Sequence, residues 1–178
     1  MKKFFKYNRP AAIIALVAII VLSVWLGGMR SVSSLKKNVL KAYFTDYSSG
    51  GCVADDMAKY LSYSQKILGI AEANGVRNEE YSSAVNSFAD VCDSPFTAAP
   101  VYEKLRKSAD TVYNILYAAN LDSSVRNSLI SYYYEMTSTS QRLANNSAYN
   151  KIARKYNSAS VSFPASLYGS DDVAVVFR

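Results

Sequence analysis

Histidine is absent from the whole chain. With it go the commonest general base, the commonest zinc ligand and every nucleophile that relies on an imidazole partner. Only two cysteines are present, Cys52 and Cys92, too few for a four-thiolate metal site. The seven glycines are scattered, with Gly27-Gly28 and Gly50-Gly51 the only adjacent pairs, so there is no glycine-rich phosphate loop. Acid is missing from the first thirty residues, which hold Lys2, Lys3, Lys6, Arg9 and Arg30. From Ser31 onward fifteen Lys and Arg face fourteen Asp and Glu, so five of the six net positive charges belong to the N-terminus. A nearly neutral body supplies no uncompensated cationic cluster for a phosphate backbone, and no nucleic-acid partner is expected. At 178 residues there is room for one domain and an appendage.

What is present begins with a long apolar run. Residues 11–29, "AAIIALVAIIVLSVWLGGM", carry no charge and follow a basic flank, residues 1–10, "MKKFFKYNRP". As a helix this run covers roughly 28 Å, close to the thickness of a bilayer's hydrocarbon core. Pro10 suits the first helical position, and Tyr7 and Trp25 fall near the two interfaces. A cleaved signal peptide shares the charged start, but the run exceeds an ordinary apolar region and "LGGMRSVS" lacks a clear small-x-small site. An uncleaved single-pass anchor in the lipid bilayer is expected. Four cations and the amino terminus precede the span, which tilts the orientation toward a cytoplasmic N-terminus and an exported body.

The body reads as helices. Val32, Leu35, Val39 and Ala42 or Tyr43 follow the span at helical spacing, so the anchor is expected to run on into the bundle. After the break at "SSGG", Val53, Met57, Tyr60, Ser64, Ile67 and Ala71 form a second stripe, closed by Gly75 as a left-handed cap. Asn78, Glu79 and Glu80 start a third helix with Tyr81, Val85, Phe88 and Cys92 on its apolar face. Val101, Leu105, Ala109, Val112, Leu116 and Ala119 mark a fourth, capped by Thr97. Asp122 starts the last and longest, expected from Ser123 to about Ser162 and ended by Pro164. Only "DVAVVF" near the C-terminus hints at alternation with period two. Short connections predict an all-α, antiparallel, up-and-down bundle of about four to five helices over 31–164, with 165–178 as a tail.

The cysteine pair invites a disulfide in an exported body. In a hairpin turning at Gly75 to Arg77, Cys92 lies beside about residue 61, which leaves Cys52 roughly 13 Å away along the helix. A disulfide needs Cα atoms within about 7 Å, so a buried free thiol at Cys92 is expected instead.

One motif stands out. "AYNKIARKYNSASVSFPASLYG" repeats Tyr-Asn after seven residues and places Phe-Pro after another seven. Seven residues fall about 20° short of two turns, so Tyr149, Tyr156 and Phe163 share a stripe. Counting back by sevens from Asn157 gives Asn150, Leu143, Met136 and Leu129, which puts the asparagines on a seam that was apolar earlier. Polar seam residues need partners and fix helix register. Asn150 and Asn157 are expected to face a neighbouring helix, the one holding Asn38.

These residues also carry a likeness. "LKKNVLKAY" directly after an N-terminal span, "YNKIARKYNSASVSFP" closing the last helix, and "ASLYG" behind it resemble the LemA family of bacterial membrane-anchored helical proteins. The middle departs from the family: "DDMAKYLSYSQKILGIAEANG" lacks its Pro-Asn, and Thr139 and Asn146 stand where Glu and Arg are usual. The resemblance implies a divergent member, a helical bundle on a single anchor, with Asn38, Tyr149, Asn150, Tyr156, Asn157, Phe163 and Pro164 as its structural signature. It implies no reaction and no cofactor.

A non-enzymatic scaffold that presents its bundle to another envelope protein is therefore expected. The rivals are an envelope hydrolase built on Asp55-Asp56, Glu79-Glu80 or Asp171-Asp172, and a ligand or metal sensor using "GSDDVAVVF". Paired acids at helix starts are ordinary dipole partners, and two acids make a weak calcium signal.

Overall fold

The computed structural model describes residues 9–45, 51–162 and 172–177. The chain is all-α: the described residues form six helices, α1 (Arg9–Phe44), α2 (Val53–Ala73), α3 (Glu79–Ala89), α4 (Ala98–Ala118), α5 (Ser123–Asn145) and α6 (Ser147–Ser160), and no strand. The 36 residues of α1 make a rod about 54 Å long. Its two halves meet different surroundings. From Ile13 to Trp25 the large apolar side chains all stand exposed, Ile14 at 69% and Leu22 at 51%, whereas Val39, Ala42 and Tyr43 are buried. Among the described residues this is the one helix long and apolar enough to cross a membrane.

The hub is α2, which meets α1, α3, α4 and α5. Its buried face is Val53, Met57, Tyr60, Ser64, Ile67 and Ala71, the stripe its spacing predicts. Its end is a Schellman turn. Gly75 takes φ 71°, and the N–H groups of Gly75 and Val76 donate to Glu72 O (3.1 Å) and Ala71 O (2.9 Å). A side chain with a Cβ rarely adopts that φ, so a glycine belongs there. Asn78 caps α3 by accepting from Tyr81 N at 2.8 Å, and α3 buries Tyr81, Ala84, Val85 and Phe88. On α4 the buried residue is Tyr102, where spacing from Leu105 pointed to Val101. The larger ring wins the site because Tyr60, Phe88 and Phe177 surround it at centroid distances of 5.1, 6.1 and 5.3 Å.

The expected last helix from Ser123 to about Ser162 is two helices. Asn146 ends α5 and starts α6: its N–H donates to Leu143 O at 3.2 Å while its side chain accepts from Tyr149 N at 3.1 Å. Asparagine suits this double role because a short amide competes with the helix for backbone partners. The sevenfold spacing survives the break, which is how it hid the break.

Tyrosine dominates the core, with Tyr43, Tyr60, Tyr81, Tyr149 and Tyr156 all buried. Buried hydroxyls need partners. Tyr43 donates to Cys92 O, Tyr81 to Ser64 O at 2.9 Å, and Tyr102 pairs with Ser140 at 2.8 Å. Cys52 and Cys92 are buried free thiols. The expected tail is not an appendage where it is described, since Ala174, Val175 and Phe177 are buried with the helices.

Candidate functional site

The site is the face where α6 packs on α1 and receives the C-terminal segment. The short helix α6 buries Tyr149, Asn150, Ala153, Tyr156 and Ser160. Tyr149 lies against Tyr43 of α1 and Phe177, at 6.0 and 5.8 Å between centroids, and Tyr156 against Phe96 at 5.3 Å. With the buried Ala174, Val175 and Phe177 they pack residues 172–177, which form neither helix nor strand, against α6.

The two asparagines hold that segment by its main chain. Asn157 makes a two-bond clamp on one residue: its Nδ2 donates to Ala174 O and its Oδ1 accepts from Ala174 N, both at 2.8 Å. Asn150 Oδ1 accepts from Phe177 N at 3.0 Å, and Pro95 O accepts from Val175 N at 2.7 Å. The spacing is geometric. Seven residues of helix rise about 10.5 Å, and three residues of extended chain cover about 10 Å, so Asn157 meets Ala174 where Asn150 meets Phe177. The segment therefore runs against α6, and the asparagines replace a neighbouring strand.

Asn150 also works backward. Its Nδ2 donates to Leu143 O and Ala144 O at 3.2 and 3.1 Å, at the end of α5, where Leu143 O also accepts from Asn146 N. One side chain thus joins α5, α6 and the C-terminal segment. The helix expected to face them, the one holding Asn38, does pack on α6, but the bonds of both asparagines go to the end of α5 and to the C-terminal segment, and Asn38 is exposed and lines an open cleft. The break at Asn146 is the cause, since it brings carbonyls of α5 within reach of Asn150. Tyr149 departs from the pattern too: its hydroxyl is buried with no hydrogen-bond partner among the described residues, and burial raises its pKa well above the usual phenol value. Phe163 and Pro164 lie outside the described residues.

On the other side of α6, away from Asn150 and Asn157, its groove with α1 is open and cationic. Leu35, Asn38, Lys41, Ala42 and Thr45 of the α1 side and Ile152 and Lys155 of α6 line a cleft of roughly 380 Å³. Lys36, on the same stretch of α1, pairs with Asp172 and lies 4.9 Å from the centre of the Phe96 ring. The bond to Asp172 raises the Lys36 pKa. Counting Arg30 to Phe44 together with α6 gives seven cations and no acid. The near-neutral total of the body conceals this segregation. The acid-free sequence of α6 was the available signal, but its meaning depends on α6 packing against an equally acid-free α1.

The paired acids do not assemble. Asp55 and Asp56 sit at the start of α2 and Glu79 and Glu80 just past its far end, with Asp172 at α1 and Asp171 outside the described residues. Asp56 is engaged by Arg142 at 3.0 Å and Lys59 at 3.8 Å. Among the described residues no three His, Cys, Asp or Glu side chains come together. The groups that do converge on α6, amides, phenols and ammonium groups, bind main chain and anions. Comparison with protein-family models, curated proteins and solved structures finds no match to this chain.

Proposed function

We propose that the chain is a single-pass, membrane-tethered protein of the bacterial envelope whose antiparallel helical bundle serves as a scaffold for another envelope protein. The observation that carries this reading is α1: one unbroken helix with an apolar half whose large side chains stand exposed and a second half built into the core. Such a rod fixes the body at a set distance from the bilayer. The bundle topology is supported by contact order. Asp56 meets Arg142 while Ser64 meets Met136, and Tyr43 of α1 meets Tyr149 while Lys36 reaches the Asp172 that lies before Ala174 on the Asn157 clamp. The likeness of "LKKNVLKAY" and "YNKIARKYN" to the LemA family supports the same placement. The denser cationic flank before the span favours a cytoplasmic N-terminus and an exported body.

Photo-crosslinking in intact membranes, followed by identification of what is attached, tests the scaffold. One abundant envelope partner is expected. A chain that crosslinks to nothing in the membrane but turns over a substrate, with loss in an Asp56→Asn variant, would overturn it. A single cysteine in place of Lys104 tests the side: labelling that needs permeabilised cells places the body in the cytoplasm.

A further inference from the structure

We infer that the cleft between α1 and α6 is a binding site for a phosphate group carried on a small or amphiphilic molecule. Three observations point to it together. First, Lys41 and Lys155 line the cleft from opposite helices, and neither has an ion-pair partner among the described residues. Lysine ammonium groups are point charges that suit phosphate oxygens, and Asn38 and Thr45 add hydrogen-bonding groups on the same wall. Lys37 and Lys151 stand one helical turn from Lys41 and Lys155, which thickens the positive field around the opening.

Second, the cleft's own cations are left unanswered. The carboxylate of Asp172 is seated on Lys36, which the helical turn places on the other side of α1 from Asn38 and Lys41. That bond answers one cation of seven. Third, the cleft has an apolar side. Leu35, Ala42 and Ile152 line it beside the polar groups, and its volume of roughly 380 Å³ falls in the range of small-molecule sites. Leu35 lies about 9 Å of helix beyond Met29, so the opening begins near the level of lipid headgroups if α1 crosses the bilayer.

The inference does not rest on the scaffold reading. A chain without a partner, or on either side of the membrane, would carry the same cleft. The test uses the full chain in nanodiscs of phosphatidylcholine and calorimetric titration with two probes, inorganic phosphate and dihexanoyl phosphatidic acid. Saturable binding of at least one probe is expected. It should weaken by about tenfold or more in the Lys41→Ala/Lys155→Ala double variant and persist in Lys41→Arg/Lys155→Arg. Equal occupancy by inorganic phosphate identifies a free phosphate ligand, whereas binding of the phosphatidate alone identifies a lipid. A Lys59→Ala/Lys107→Ala control on α2 and α4 should leave binding unchanged. No binding of either probe, or equal loss in the control, overturns the inference. The four lysines are exposed, so matched thermal unfolding of all variants separates lost binding from lost folding.

Discussion

Helices α2 to α5 and the unit made by α1, α6 and the C-terminal segment are built from the same residue types on different plans. Between residues 51 and 145 eight cations are mixed with eleven acids, and salt bridges such as Arg106 to Glu103 form locally. In the second unit the helices carry charge of one sign, with Asp172 of the segment set against them, and two buried or half-buried asparagines occupy positions that α5 fills with Leu129, Met136 and Leu143. The first plan is a core with a solvated rim. The second spends stability on polar groups in order to hold an extended chain and to leave a cationic cleft open. That difference teaches where to look for function in a protein with no imidazole.

The largest effect should come from alkali, and it should strike both units. Burial raises the pKa values of Tyr43 and Tyr149 in one unit and of Tyr60 and Tyr81 in the other. A folded pKa above the unfolded one means that the folded state holds more protons in the window between them. Stability is then complete below about pH 10 and falls as pH rises, by up to about 1.4 kcal/mol per unit for each phenol. Four such groups exhaust an ordinary domain stability within about two units. Chemical denaturation at stepped pH checks this, and a flat profile to about pH 12 would contradict it. Tyr133 is a milder case at about 12, with burial and its bond to Asp110 as the causes.

Next in size, Phe177→Ala should destabilise by about 3–5 kcal/mol, as for any aromatic core residue. The ring is 1% exposed and packs on Tyr102 and Tyr149, so the C-terminal segment counts as core. A change under about 1 kcal/mol in denaturant midpoint would return the segment to the surface.

The asparagines sharpen the comparison. Asn150→Leu strands the Ala144 carbonyl and the Phe177 amide at a buried position, at a cost of about 2–4 kcal/mol, whereas Asn157→Leu strands the Ala174 pair at a half-buried one, at about 1–3 kcal/mol. Thermal unfolding of the two variants should rank them in that order. The smallest effect belongs to Tyr149→Phe. It removes a hydroxyl that has no partner among the described residues, so the melting temperature should hold or rise, whereas a clear loss would reveal a bond to that hydroxyl.

How legible all this was depends on range. Stripes set by neighbours three and four residues apart, Met57 to Ala71 or Tyr81 to Phe88, follow from local period alone and match the buried faces. Caps at Asn78 and Gly75 were equally local. The break at Asn146 was written in "NNS", yet an unbroken count by sevens ran through it. The partners of Asn150 and Asn157 were not legible, because bonds from residue 157 to residue 174 are set by how an irregular segment folds back. The cationic cleft needed two acid-free helices, distant in sequence, to be placed side by side.

Amide hydrogen exchange of the membrane-embedded full chain tests the central claim, that α6 builds its face by clamping an extended segment through Asn150 and Asn157. The amides of Ala174, Val175 and Phe177 should be protected like those of α2, and Asn157→Leu should release them while α2 to α5 stay protected. Free exchange of these three amides in the unaltered chain would contradict the account.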